Sequence, residues 1–134
     1  MEKEYAILVL RIFYGAAFLV AGLDKLFHYG MAGKMFGMWF AGLGGIMLLL
    51  AIIIELAGGL ALLSNFYTRY AATLFIPFLL VATVVSWKIG GMDILSTLRE
   101  ILVMNTGGGN TAVNFSYLAG VTALALLADE EKKR

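Results

Sequence analysis

The side chains most able to do chemistry in this chain are two charges set inside apolar runs. They are Arg11 in "YAILVLRIFYGAAFLVAGL" and Glu55 in "IIIELAGGLALL". A charge near the centre of a membrane helix costs roughly 2.5–3.5 kcal/mol on insertion scales, so such residues turn toward a partner or a polar cavity. Their opposite signs suggest a pair. Counted inward from the expected span ends at the helical rise, Arg11 lies about 9 Å deep and Glu55 about 13 Å. The difference is less than one turn, so Arg11 and Glu55 are expected to pair within the bundle. Arg69, at the start of the third span, would compete for the same carboxylate. Such a pair can be a device that fixes which helices pack together, or Glu55 can be a proton or ligand site.

The other polar candidates sit closer to the expected membrane surface. Asp24 and Lys25 close the first apolar run and read as boundary anchors. His28, the single histidine, has the chemistry of an axial haem ligand or of a proton acceptor beside a quinone headgroup, and equally that of a solvated interfacial residue. Met31, Met35, Met38 and Met47 carry thioethers that suit copper or haem, although Met is also a general gap-filler. Asn114, Ser116 and Tyr117 can hydrogen-bond across helices. There is no cysteine, which excludes disulfides, thiolate metal sites and thiol redox chemistry by this chain itself. With one histidine, a two-histidine site within the chain is excluded too, and no metal site is expected.

Composition says what must position these residues. Hydrophobic residues make up 61% of the 134 and charged residues 14%, against about 45–50% and about 25% in soluble domains. Such a chain belongs in a bilayer, and its length suits one domain. The net charge of +1 and the lack of a basic stripe speak against nucleic acid. Four stretches, 5–23, 43–63, 70–87 and 111–128, approach the roughly 20 apolar residues a membrane helix needs. The fold class expected is all-α: an integral membrane four-helix bundle forming a single transmembrane domain over residues 1–134. Glu2 and Glu4 offset Lys3 ahead of the first run and no cleavage site follows it, so it reads as a retained span, not a secretory signal. Lys3, Arg11, Arg69, Lys132, Lys133 and Arg134 outnumber Lys25, Lys34, Lys88 and Arg99 on the opposite side, which predicts both termini cytoplasmic. The tail "DEEKKR" reads as a solvated helix end.

The connections add detail. "SNFYTR" is a tight turn, so spans two and three should be antiparallel neighbours. "HYGMAGKMFGMWFAG" is glycine-broken and rich in Met and aromatics, which suits the membrane interface. In "DILSTLREILVMN", Ile94, Leu95, Leu98, Ile101 and Leu102 recur at helical spacing opposite Ser96, Thr97, Arg99 and Glu100. That pattern predicts a short interfacial amphipathic helix between spans three and four, broken by "TGGGN". Pro77 should kink span three. Arg11, Gly15, Phe18, Gly22 and Lys25 fall on one stripe of the first helix. With Gly58 and Gly59 on span two, its glycines read as helix-packing surfaces that allow close backbone approach and could also support a homo-oligomer.

The stripe from Arg11 to Lys25 resembles the opening of the DoxX family of small four-helix membrane proteins. The segment "ELAGGLALLSNFYTRYAA" (55–72) resembles it more closely, the family's positions falling on Glu55, Gly59, Leu63, Thr68, Arg69, Ala71 and Ala72. "MAGKMFGMWFAGLGG" and the glycine-bearing approach to span four also fit, so the resemblance covers nearly the whole chain. Asn65 stands where the family usually has a turn glycine. Asn is the non-glycine residue best suited to a left-handed backbone, so the turn should survive. Relatives in this family include a thiosulfate:quinone oxidoreductase subunit and complexes joining thiol and oxidative-stress enzymes at the membrane. More distant ones act as membrane chaperones or cargo receptors. The resemblance therefore implies at most a membrane subunit of an oxidoreductase complex in the prokaryotic cytoplasmic membrane. Quinone is the cofactor it suggests, in a pocket near Glu55, Arg11 and Arg69, and a redox enzyme is the partner. A non-enzymatic assembly factor that holds membrane clients is the alternative. A small proton-coupled exporter is a third reading, against which an arginine beside Glu55 counts because it opposes free titration of the carboxylate.

Overall fold

The computed structural model describes residues 2–85, 94–102 and 111–128. All regular elements among them are helical: α1 (Glu2–Phe27), α2 (Tyr29–Phe40), a single 3-10 turn (Ala41–Leu43), α3 (Gly44–Leu63), α4 (Thr68–Val85), α5 (Ile94–Leu102) and α6 (Thr111–Leu127). Three stretches are long and apolar enough to cross a membrane, namely Glu2–Phe27, Tyr29–Leu63 and Thr68–Val85, and α6 is a shorter apolar helix. The expected all-α bundle of four apolar helices is therefore present. The end of the third span at Trp87, the charge on Lys88, the glycine-rich break before α6 and the tail 129–134 lie outside the described residues.

Glycine contacts fix how the first helices run. A Cβ on Gly15 would meet Leu63 and Gly59, one on Gly22 would meet Leu56 and Glu55, one on Gly33 would touch Leu48, and one on Gly44 would meet Gly37. As residue numbers rise from 15 to 37, their partners on α3 fall from 63 to 44. So α1 and α2 run in the same direction, both antiparallel to α3. They are joined at His28, where φ −117° and ψ 46° leave the helical region. Helix-type bonds still cross the joint, from the His28 N–H to the Asp24 carbonyl and from the Ala32 N–H to the His28 carbonyl. The glycine-rich segment expected to lie as an interfacial connection is thus a helix along the first half of α3. Its Ala32 and Phe36 pack on Leu48, Ala51 and Ile52.

Between α3 and α4 the chain reverses in four residues. Asn65 takes φ 57°, the Phe66 N–H bonds the Ala61 carbonyl and the Asn65 N–H bonds the Leu62 carbonyl. This is the Schellman pattern, which satisfies the last carbonyls of a helix through one left-handed residue. The Thr68 hydroxyl donates to Asn65 Oδ1 at 2.8 Å and ties the turn to the start of α4. Asn65→Gly keeps the left-handed backbone but removes the acceptor of the buried Thr68 hydroxyl and should cost about 1 kcal/mol, whereas Asn65→Ala should cost about 1 kcal/mol more for the left-handed backbone, read as shifts in the unfolding midpoint.

α6 closes the bundle against α4 and α1. Tyr14 and Phe18 of α1, Leu62 of α3, Ala72, Phe75 and Leu79 of α4, and Val121 and Leu124 of α6 form one buried cluster. Phe18 stacks on Phe75 with ring centres 3.8 Å apart. α5 contributes no described side chain to either buried cluster. Its Ile94, Leu95, Leu98 and Leu102 are exposed, the arrangement of an amphipathic helix whose apolar face meets a membrane surface.

Candidate functional site

Glu55 is the twelfth residue of the twenty in α3, so it stands near the helix middle and 4% exposed. The antiparallel register brings the end of α1 to that level. Lys25 Nζ lies 2.8 Å from Glu55 Oε1 and donates to Oε2 at 3.1 Å. The counterion of Glu55 is therefore Lys25, and the expected pairing with Arg11 does not form. Arg11 instead donates to the Leu62 carbonyl at 3.2 Å and to the Leu63 carbonyl at 3.3 Å. Those carbonyls belong to the last turn of α3, which carries the negative end of the helix dipole, and the Leu62 carbonyl takes Arg11 in addition to the Asn65 N–H. The depth count failed because α1 starts at Glu2 and its first turns run on past the end of α3. Lys25 reads as a boundary anchor only if α1 is taken to cross the bundle alone. Because α2 continues its path, Lys25 falls at the middle of α3.

Arg11 precedes Lys25 by fourteen residues, about 21 Å along α1. Arg11→Gln should cost about 1 kcal/mol of stability through the lost charge-assisted cap. Arg69 is likewise distant, exposed in the first turn of α4 beyond the reversal that follows Leu63. Gly15, Gly22, Gly58 and Gly59 are buried helix-contact positions.

In front of the Lys25–Glu55 pair lies a cavity of ≈ 670 Å³. Its walls are apolar and aromatic: Phe18, Phe36, Trp39, Phe78, Ile54, Met35 and Met47 among others. Asp24, Lys25, His28, Glu55, Asn114 and Tyr117 bring the polar atoms. The cavity thus gathers Glu55 with Asp24, Lys25 and His28, expected near the membrane surface, and with Asn114 and Tyr117, expected to hydrogen-bond across helices, while Arg11 and Arg69 do not line it. His28 Nδ1 is 3.0 Å from Asp24 Oδ1 and 3.2 Å from the Asp24 carbonyl, and a proton on Nδ1 would serve both acceptors. Glu55 Oε1 receives no hydrogen bond among the described residues, so it keeps acceptor capacity beside the ammonium.

Three elements were outside sequence reasoning. α2 supplies much of the wall, Trp39 and Phe36 belong to the site, and Lys25 is the counterion. The last was signalled: Lys25 follows Gly22 by three residues on the stripe that faces α3.

The sequence model of the DoxX family matches residues 6–87, the part of the chain that holds α1 to α4 and the Lys25–Glu55 pair. Inner membrane protein YqjF of Escherichia coli (strain K12) is 40% identical to this chain over 70 residues, covering 52% of each. The chain spans about half the length of this curated relative. No solved structure matches the chain.

Proposed function

The chain belongs to the DoxX family of membrane proteins, and on that premise we propose that it is the ligand-holding membrane subunit of a quinone-linked redox complex. The observation that carries this reading is the ≈ 670 Å³ cavity with Lys25 and the buried Glu55 in its wall. Sites for small molecules usually enclose about 300–1,000 Å³, mostly apolar with a few convergent polar groups. A quinone head presents carbonyl acceptors, which the Lys25 ammonium can serve. The reduced form presents hydroxyl donors, which the Glu55 carboxylate can accept. The rings of Trp39, Phe78 and Tyr117, partly exposed in the cavity wall, offer aromatic surface for a flat head. Without cysteine the chain has no thiol couple of its own, so a partner enzyme exchanges the electrons. The part played here is to bind and orient.

Gentle extraction from native membranes, followed by native mass spectrometry and quinone assay, tests the reading. The wild type should retain quinone, and Glu55→Gln should retain about 10–100-fold less, the loss expected for a hydrogen bond to a charged group. Equal background quinone in both would defeat it, and assorted unassembled membrane proteins on a quinone-free chain would favour the assembly factor.

A further inference from the structure

Lys25 and Glu55 form one wall of the cavity, and the opposite direction leads between two helices. α3 and α4 touch where a Cβ on Gly58 would meet the Phe75 ring at 2.5 Å. Past that contact the cavity is lined by Leu50, Ala51 and Ile54 on α3 and by Pro77, Phe78 and Val81 on α4. This wedge contains no charged side chain. Leu50 is 47% exposed and Val81 50% exposed, so the wedge reaches the apolar side surface of the bundle. Two spanning helices flank it, so the medium outside is hydrocarbon.

We infer that the wedge between α3 and α4 is a lateral port that takes the hydrocarbon tail of a bilayer-dissolved, single-chain amphiphile whose polar head reaches Lys25 and Glu55. The inference rests on the proposed head-group site and adds the tail subsite and the direction of entry. The ligand comes from the lipid phase. A tail leaving by this route replaces contacts with bulk lipid by contacts with Ala51, Ile54 and Phe78. A water-borne solute would have to enter past Asp24 and His28 instead, whose side chains are 70% and 63% exposed.

Photocrosslinking in reconstituted vesicles tests the port. Two probes carry a diazirine at the tail end, one a decyl-tailed benzoquinone and one a decyl alcohol. Labelled residues are located by mass spectrometry. Both should label the wedge, at Ala51, Ile54 or Phe78. Ala51→Phe should cut that labelling about tenfold or more by displacing several methylenes, while labelling of Ile53 on the outer face of α3 stays the same. Ala82→Phe, across the wedge on α4, serves the same purpose if Ala51→Phe does not assemble. Labelling confined to the outer face, or to Asp24 and His28, overturns the port. So does wedge labelling that neither substitution reduces. If the alcohol labels the wedge and the quinone does not, the port stands and the quinone reading falls. If quinone is retained by the purified protein while its tail labels only the outer face, the head site stands and the port falls.

Discussion

Lys25→Met will lower the stability of the bundle by about 3 kcal/mol in a thermal or denaturant unfolding series. Removing one member of a buried pair leaves the other charge without compensation, at a cost of roughly 3–5 kcal/mol. Glu55 is the member left behind, with a side chain 5% exposed against 23% for Lys25. The partial exposure of Lys25 puts the pair's own attraction at the low end, because water already screens the ammonium. Stranding Glu55 is what makes the change severe. An unfolding midpoint within error of wild type would show that the pair does not hold α1 to α3.

The double variant Lys25→Met with Glu55→Leu separates scaffold from site. Replacing both charges by apolar groups of similar volume is often neutral or stabilising, so the double variant should recover most of the loss. Ligand retention should not recover, because the donor and the acceptor at the cavity wall are both gone. A double variant that is stable and still retains quinone would reduce the pair to a packing device. The coupling between the two sites, measured as a cycle, should reach the upper part of the range of about 0.5–3 kcal/mol seen for residues in contact.

Much of this architecture could be read from residue patterns, and the misreadings share a cause. Apolar runs located the helices, and Ile94, Leu95, Leu98 and Leu102 announced α5 by their spacing. Asn65 was legible because few residues other than glycine suit φ near 57°. The pairing of Arg11 with Glu55 was read from distances to the ends of apolar runs, and such ends say little about register. Register is set where backbones touch. Had Gly22 been laid against Leu56 and Glu55, as the structure lays them, Lys25 would have arrived within one turn of Glu55. α2 was read as a broken connection because Gly30, Gly33 and Gly37 lower helix propensity. Packing of Ala32 and Phe36 on α3 outweighs that penalty of about 1 kcal/mol each. The cavity was beyond sequence reading, since its wall draws on five helices.

Gly59→Ala will be the most harmful of the alanine substitutions on the stripe between α1 and α3, and Gly22→Ala the mildest. A methyl on Gly59 would lie 2.8 Å from the Leu19 nitrogen and 2.9 Å from the Gly15 carbonyl oxygen. Both are helix backbone, so α1 as a whole must move. At Gly22 the clash at 2.8 Å is with the end of the Leu56 side chain, which can turn aside. Overpacking a tight contact costs typically about 1–3 kcal/mol, while Ala gains up to about 1 kcal/mol over Gly in helix propensity. The balance should leave Gly22→Ala near zero and Gly59→Ala destabilised by about 2 kcal/mol. The second readout follows from the same geometry. Lys25 is carried on α1, and a displacement of about 1 Å stretches its contact with Glu55 beyond hydrogen-bonding range. On the proposed function, Gly59→Ala should therefore lower quinone retention as well as stability, although the glycine itself does not line the cavity. Gly22→Ala as harmful as Gly59→Ala would mean that α1 yields as easily as a leucine side chain, and the register would not be what brings Lys25 to Glu55.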